Sequence, residues 1–345
     1  MNIIKFIISI FVCIAIASCA IMNETIDPQS LAEFEQFKAK FNKYYFNEHE
    51  HHSGFHNYKI SREHIAKHQM ENPNAKFGHT KFSDMSPEEF EKKMLNFDFT
   101  IFKKAKQQGI KLKAEPMKAY LRQGENVDNS DLPESFDWRD KGIITPAKFQ
   151  NTCGSCWTFA TTGVIESQYA LKYGELLHFS EQMLLDCDNI NQGCRGGLMT
   201  DAYQYLQQAG GIQTANTYGD YKNKKDICNF DKTKVKAKVV DWYQIPENEE
   251  TIRRELVMNG PIAVGINART LQFYEGGILD PKNCDDKINH AVLIVGYGVE
   301  EGIPYWLIKN QWGAEWGVKG FFKLIRNKKQ CGIHTYASIA YIEKV

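Results

Sequence analysis

At 345 residues the chain suits one large domain or two smaller ones, and 43% apolar with 12% aromatic residues supports a well-buried core, which excludes wholesale disorder. Its 42 basic residues balance 42 acidic ones and no Lys/Arg run is interleaved with aromatics, so nucleic acid is not an expected partner.

The chain opens MNIIKFIISIFVCIAIASCA, with Lys5, an apolar run from Phe6 to Ala17 and small residues around Ala20. This predicts a secretory signal peptide over 1–20. The alternative is a signal anchor, but the run falls short of the ~20 residues a spanning helix needs. No later segment is apolar enough to span, so no membrane contact is expected after signal removal. The expected location is the secretory route, ending in a lysosome-like acidic compartment or outside the cell, where disulfides persist.

From Ile21 to Ser130 the chain is rich in Lys, Glu, His and Phe and has no cysteine. SLAEFEQFKAKFNKYY spaces Leu31, Phe34, Phe37 and Phe41 as a helix face, with Ser30 as N-cap. A second helix is predicted from about Glu48 to Met70, ended by Asn72, Pro73 and Asn74. Ser86 as N-cap and Pro87 at the first helical position start a short third helix. From Lys103 to Ser130 the residues turn to Lys, Gln, Asn and Asp, which reads as an exposed linker. Seven of the ten histidines fall between Ile21 and Ser130: His49, His51, His52, His56, His64, His68 and His79. With an ordinary pKa near ~6.5 they gain charge in mild acid, so the tract reads as a solvated face, a metal-binding run or an acid sensor.

A different pattern begins near Leu132. WTFATTGVIESQYALKYG predicts a helix with Trp157, Ala160, Val164, Ile165 and Tyr169 along one face. PIAVGIN, HAVLIVGYG, IPYWLIKN, GFFKLIRN and ASIAYIEKV read as strands of a small antiparallel sheet or barrel. A helical half followed by a stranded half predicts an α+β fold of two lobes, with a cleft between them as the place for a site.

The cysteines narrow the chemistry. Removing Cys13 and Cys19 with the signal leaves Cys153, Cys156, Cys187, Cys194, Cys228, Cys284 and Cys331, an odd number in an oxidising compartment. CGSCW at 153–157 can be a redox dithiol, half of a zinc site, or a disulfide cysteine beside a nucleophile. A thioredoxin-like dithiol usually carries its aromatic before the first cysteine, whereas Trp157 follows the second. Cys187 and Cys194 are badly spaced for a second zinc pair, so no metal is expected. The third reading needs a His and an orienting amide downstream, and His290 and Asn310 stand in HAVLIVGYG and YWLIKNQWG.

These motifs resemble the papain family of cysteine proteases with an inhibitory propeptide, nearest in general pattern to cathepsins L, S and H. DWRDKGIITP, FSEQMLLDC, GCRGGLM and the final CGI match further blocks, so the resemblance covers nearly all of 132–345. It implies a papain-like two-lobed fold, a helical lobe plus an antiparallel β-barrel-like lobe, preceded by a helical prodomain. The implied domains are a signal peptide at 1–20, a propeptide at 21–131 with helices over about 30–95 and a linker over about 103–131, and a peptidase at 132–345. It implies Cys156 as nucleophile, His290 as its imidazolium partner, Asn310 as orienter of the ring and Gln150 as oxyanion donor. Trp312 would shield the contact between His290 and Asn310.

Carried over in the same way are disulfides Cys153–Cys194, Cys187–Cys228 and Cys284–Cys331, which leave Cys156 free. Leu198, Met199, Gly265, Ile288, Ala291 and Tyr336 would line an apolar pocket for the second residue before the cut, P2. Gly197 would offer its backbone to the peptide, and Asn289 and Trp312 join this substrate-binding set. The implied activity is a zymogen-derived endopeptidase of a secreted or lysosomal kind, with no cofactor and a monomeric state. Peptides, its own propeptide and cystatin-like inhibitors are the implied partners.

The chain departs from the family at Gln311 for Ser, Asn151 for Gly and Arg195 for Asn. In the propeptide the long spaced motif keeps Glu50, Tyr58 and Ile65 but has Gly54, Ser61 and Gln69 at other positions. The next motif keeps Gly78, Phe82 and Asp84, with Thr80 for Asn. Two other classes stay open: a silenced relative that acts as a binding or inhibitory protein through its prodomain, and a dithiol oxidoreductase.

Overall fold

The structure, a computed structural model, describes residues 27–95, 100 and 132–345. The expected signal peptide over 1–20 and the linker over about 103–131 lie outside the described residues. The chain divides into two compact units, one ending at Lys59 and the other starting at Ile60.

In the first unit, α1 (Pro28–Phe41) is capped by Asp27, whose carboxylate accepts from the N–H groups of Gln29 and Ser30. The expected cap, Ser30, instead lies inside the first turn and donates its hydroxyl to Asp27 Oδ2 at 2.7 Å. A carboxylate followed by proline wins because Pro28 gives up no N–H and is pre-set for the first helical position. Phe34 and Phe37 of α1 pack with Phe55 and Tyr58 of α2 (Glu48–Glu71) into a small aromatic core.

The second unit holds one large hydrophobic core. β1 (Ala75–Phe77) and α3 (Pro87–Met94) come first, and Ser86 caps α3 through a 3.1 Å bond from Glu89 N, as its spacing predicts. Next are β2 (Phe136–Asp137), α4 (Cys156–Tyr173), α5 (Glu181–Cys187), α6 (Met199–Ala209), β3 (Ile212–Gln213), α7 (Ala215–Tyr218), β4 (Val235–Ile245) and α8 (Glu249–Asn259). The chain ends in strands: β5 (Ile262–Ile266), β6 (Tyr274–Leu279), β7 (His290–Glu300), β8 (Ile303–Lys309), β9 (Phe321–Ile325) and β10 (Ala337–Lys344).

All ten strands join one sheet in the order β1-β6-β9-β8-β7-β5-β10-β4-β3, with β2 paired to β7. Its pairs are antiparallel except β6 with β9, which is parallel. β4 is a strand the apolar runs do not single out. Lys236 and Lys238 alternate with buried Val235, Ala237 and Val239, a period-two pattern diluted by charge.

α4 is buried all round from Cys156 to Ala170, where the sequence predicts one apolar face. It packs against α6 as well as β7 and β10, so even Thr158, Thr161 and Ser167 must face protein. Their hydroxyls bond backbone carbonyls within the helix and need no water. No helix among the described residues is long and apolar enough to cross a membrane.

Candidate active site

Cys156 is the first residue of α4 and the one cysteine without a disulfide partner among the described residues. The structure carries the pairs Cys153–Cys194, Cys187–Cys228 and Cys284–Cys331. The first pins the turn ahead of the helix, helped by Gly154 N donating to Cys194 O at 3.0 Å. Trp157 Nε1 ties the same turn to Gly193 O at 3.1 Å.

The Cys156 thiol is wholly buried, and burial pushes its pKa up to about 12. The N–H groups of Ala291, Trp157 and Cys156 itself act the other way, toward the thiolate, but do not offset that desolvation. His290, at the start of β7, is also fully buried, and burial lowers its pKa to about 4 while its bond to Asn310 works upward. In this covered state burial works against charge on both the thiol and the imidazole. Ala291 N–H on the sulfur places the thiol beside the residue that follows His290 in the chain.

Asn310, just past β8, accepts from His290 Nε2 at 2.9 Å through Oδ1, which also accepts from Gln311 N at 2.9 Å. That contact leaves His290 Nδ1 without a partner among the described residues. Trp312 stacks on the imidazole with ring centroids 4.9 Å apart. Gln150 enters on a strand-like stretch: Gln150 N donates to Gln311 O at 2.9 Å and Gly313 N to Lys148 O at 2.9 Å. Its side-chain Nε2 donates to Cys153 O at 3.1 Å. The four residues expected to carry the chemistry therefore converge on the start of α4 and the facing ends of β7 and β8.

The expected substrate residues gather nearby. Leu198 is the extended residue before α6, and Asn191 clamps its backbone, accepting from Leu198 N at 2.7 Å and donating to Leu198 O at 3.3 Å. A Cβ on Gly197 would lie 2.5 Å from Asn191 Oδ1, so the clamp requires glycine there. Gly265 of β5 is equally confined, since a Cβ would meet Ile288 at 2.7 Å and Tyr336 at 3.4 Å. Tyr336 Oη meets Thr200 N at 3.2 Å at the first turn of α6, next to Met199. Ala291 pairs with Gly265 across β5 and β7, and Asn289 Oδ1 accepts from Ala268 N at 2.8 Å. Asp201, one residue beyond Thr200, is an acid the sequence reading does not connect with the pocket. Burial, then Asp188, raises its pKa to about 6, and its charge acts on Tyr336.

Residues 132–341 match the model of the papain family of cysteine proteases. The chain belongs to the papain family. Residues 34–90 match the cathepsin propeptide inhibitor domain, so this cysteine peptidase carries its own inhibitor domain ahead of it. The peptidase is 38% identical over 323 residues to cysteine proteinase 15A of Pisum sativum, covering 88% of this chain and 85% of that one. Cysteine proteinase 1 of Dictyostelium discoideum is 34% identical, covering 97% and 99%. Among solved structures, digestive procathepsin L 3 of Tenebrio molitor larval midgut superposes with a TM-score of 0.78 at 32% identity, covering 91% of this chain and 100% of that one.

The inhibitor segment from Ile60 onward is bound to the peptidase by backbone and side chain alike. β1 pairs with β6, and Thr80 Oγ1 donates to Gln272 O at 2.6 Å, so threonine makes a bond where the family motif has asparagine. Gln272 Nε2 answers by donating to Phe82 O and Met85 O at 3.0 and 2.9 Å. Phe82 and Phe90 lie edge-on to Trp312, with centroids 5.5 and 5.3 Å away. Arg269 grips Glu91 with two N–H groups, and Lys81 pairs with Glu315. Gln272, Arg269 and Glu315 were not legible as contacts, because each reads locally as a solvated polar residue.

A small recess beside Asn310 and Gln311 is lined in part by Lys148, Glu166, Glu181 and Lys309. Neither Cys156 nor His290 lines it. Lys148 Nζ lies 2.7 Å from Glu166 and 2.5 Å from Glu181. Burial works to raise the Glu166 carboxyl, but Lys148 and Lys309 outweigh it and hold the group ionised. Lys309, buried and bonded to Thr145 Oγ1 at 2.7 Å, is lowered to about 8 by burial.

Proposed function

We propose that Cys156 is the nucleophile, His290 the proton carrier, Asn310 the residue that orients the ring, and Gln150 an oxyanion donor. The observation that carries this is the meeting of the one free cysteine among the described residues, at a helix start, with the strand end bearing a His290–Asn310 bond of 2.9 Å. When the cleft opens, water and substrate replace the burial that disfavours charge on both groups. The N–H groups at the start of α4 then favour the thiolate, and imidazolium formation balances it. The thiolate attacks the peptide carbonyl, His290 gives its proton to the leaving amine, and water then hydrolyses the acyl-enzyme. Asn310 accepts from His290 without carrying a charge that would neutralise the imidazolium. Gln150 Nε2 and the Cys156 N–H face the developing oxyanion, where one donor is worth ~3 kcal/mol.

The domains in this reading are a signal at 1–20, a propeptide at 21–131 and a peptidase at 132–345. Leu198, Met199, Gly265, Ile288, Ala291 and Tyr336 form the apolar P2 pocket, and Gly197 and Asn289 meet the peptide backbone. Leu, Val, Met or Phe is the expected P2 residue. The enzyme acts as a monomeric endopeptidase in a lysosome-like or extracellular setting and takes cystatin-like inhibitors in its cleft. The test is Cys156→Ala. It should abolish peptide hydrolysis, let the uncut chain accumulate and abolish labelling by an epoxide that alkylates active-site thiols. A variant that still cleaves peptides refutes the assignment.

A further inference from the structure

Gln311 is buried between the two arms of this machinery, at 4% exposure. Its Nε2 lies 3.0 Å from Gln150 Oε1, 2.8 Å from Ala291 O and 3.1 Å from His290 Nε2. The amide nitrogen has two protons to give. Gln150 spends its own Nε2 on Cys153 O, so its Oε1 is turned toward Gln311 and needs a donor. The Ala291 carbonyl can only accept. These two acceptors take both protons. His290 Nε2 in turn donates to Asn310 Oδ1, so its contact with Gln311 is a close approach of two donors. The positive end of the Gln311 amide dipole thus faces the imidazole.

We propose that Gln311 is a positioning residue that locks the Gln150 carboxamide with its N–H toward the oxyanion and couples it to the His290 ring. This rests on the reading of Gln150 as oxyanion donor. Without the lock, Gln150 can rotate about its last torsion and present Oε1, a repulsive oxygen, to the developing negative charge. Serine, usual in the family here, has a single O–H and can serve at most one of the two acceptors. The same amide disfavours positive charge on the adjacent ring, so its removal eases imidazolium formation.

The experiment uses the processed enzyme, with kcat expressed per active site titrated by the epoxide, so that misfolded molecules do not count. Gln311→Leu keeps the volume and deletes both donors. It should lower kcat about tenfold with KM little changed, a part of the ~100-fold that a whole oxyanion donor supplies. The alkaline limb of kcat/KM, which reports the imidazolium, should move to higher pH. Gln311→Ser, with one donor, should keep more of kcat than Gln311→Leu and stands in for it if the leucine variant does not fold. In the Gln150→Ala background, Gln311→Leu should cost little more, because the group it positions is gone. If Gln150→Ala alone leaves kcat unchanged, the oxyanion reading fails. If Gln150→Ala is slow but Gln311→Leu keeps native kcat and an unmoved alkaline limb, or its effect multiplies in full with that of Gln150→Ala, the positioning role is overturned by itself.

Discussion

Replacing His68 with Phe should make release of the inhibitor segment less sensitive to acid. The His68 ring stacks on Phe77 with centroids 5.4 Å apart and tilts against Phe273 at 6.2 Å, and its Nδ1 is buried without a partner among the described residues. Burial lowers its pKa from the ordinary 6.5, and His64 and Lys67 on the same helix add to the effect while Glu71 opposes it. The facing elements offer Phe77 and Phe273, which carry no charge to compensate. A depressed pKa in the docked form means docking is fully favoured above the free value of ~6.5 and weakens as pH falls through it toward the docked value. Each pH unit of depression weakens docking about tenfold, or ~1.4 kcal/mol, once His68 is protonated.

Phenylalanine keeps the stacking and removes the titration. The assay is the rate of epoxide labelling of Cys156 in the full chain, divided by the rate in the processed enzyme at the same pH, which cancels the pH dependence of the thiol itself. The midpoint for His68→Phe should lie at lower pH than for the native chain, and an unmoved midpoint refutes the reasoning. Changing His49, His52 and His56 to Gln should leave the midpoint in place. These residues of the expected acid-sensing tract are exposed.

Lys148→Met should cost ~3–5 kcal/mol in denaturant unfolding, since it removes the ammonium paired with both Glu166 and Glu181 and leaves two buried carboxylates with Lys309 as the remaining neighbouring cation, and a loss under about 1 kcal/mol would refute that role. Asp201→Asn should stabilise the protein by about 1–3 kcal/mol at pH 7 and by only about 0.5 kcal/mol at pH 4. The folded value of about 6 lies above the ordinary 3.8, so ionisation opposes the fold as pH rises between them, and thermal melts at both pH values check it. Arg269→Ala should speed activation only a few-fold, because its pairing with Glu91 is solvent-exposed, and processing time courses would show it.

The chemistry was legible because it rests on local words in a fixed order: CGSCW, then a histidine opening an apolar strand, then asparagine before tryptophan. The capping of α3 was legible for the same reason, since Ser86 and Pro87 act within one turn. Asp27 and Ser30 could each cap α1, and only the observed backbone decides between them. The buried ion cluster was invisible, because Glu166 in a helix and Lys309 in a strand each look like a solvated charge until tertiary contact brings Lys148 and Thr145 to them. Gln311 registered as a departure from pattern, but its three neighbours come from two distant stretches of chain, one at Gln150 and one at His290 and Ala291. Sequence order carries no sign that Gln150 and Ala291 both lack a donor.

All six tryptophans lie at or beyond Trp138, and the chain ahead of it has none. Of the six, Trp312 is the one that meets inhibitor-segment rings among the described residues, through Phe82 and Phe90. Departure of that segment uncovers one indole to water and leaves the rest of the chromophore set in place. Maturation should therefore carry its own optical signal, a red shift and fall of intrinsic emission as Trp312 becomes hydrated. The molecule would report its own unmasking in real time, with no substrate or label added.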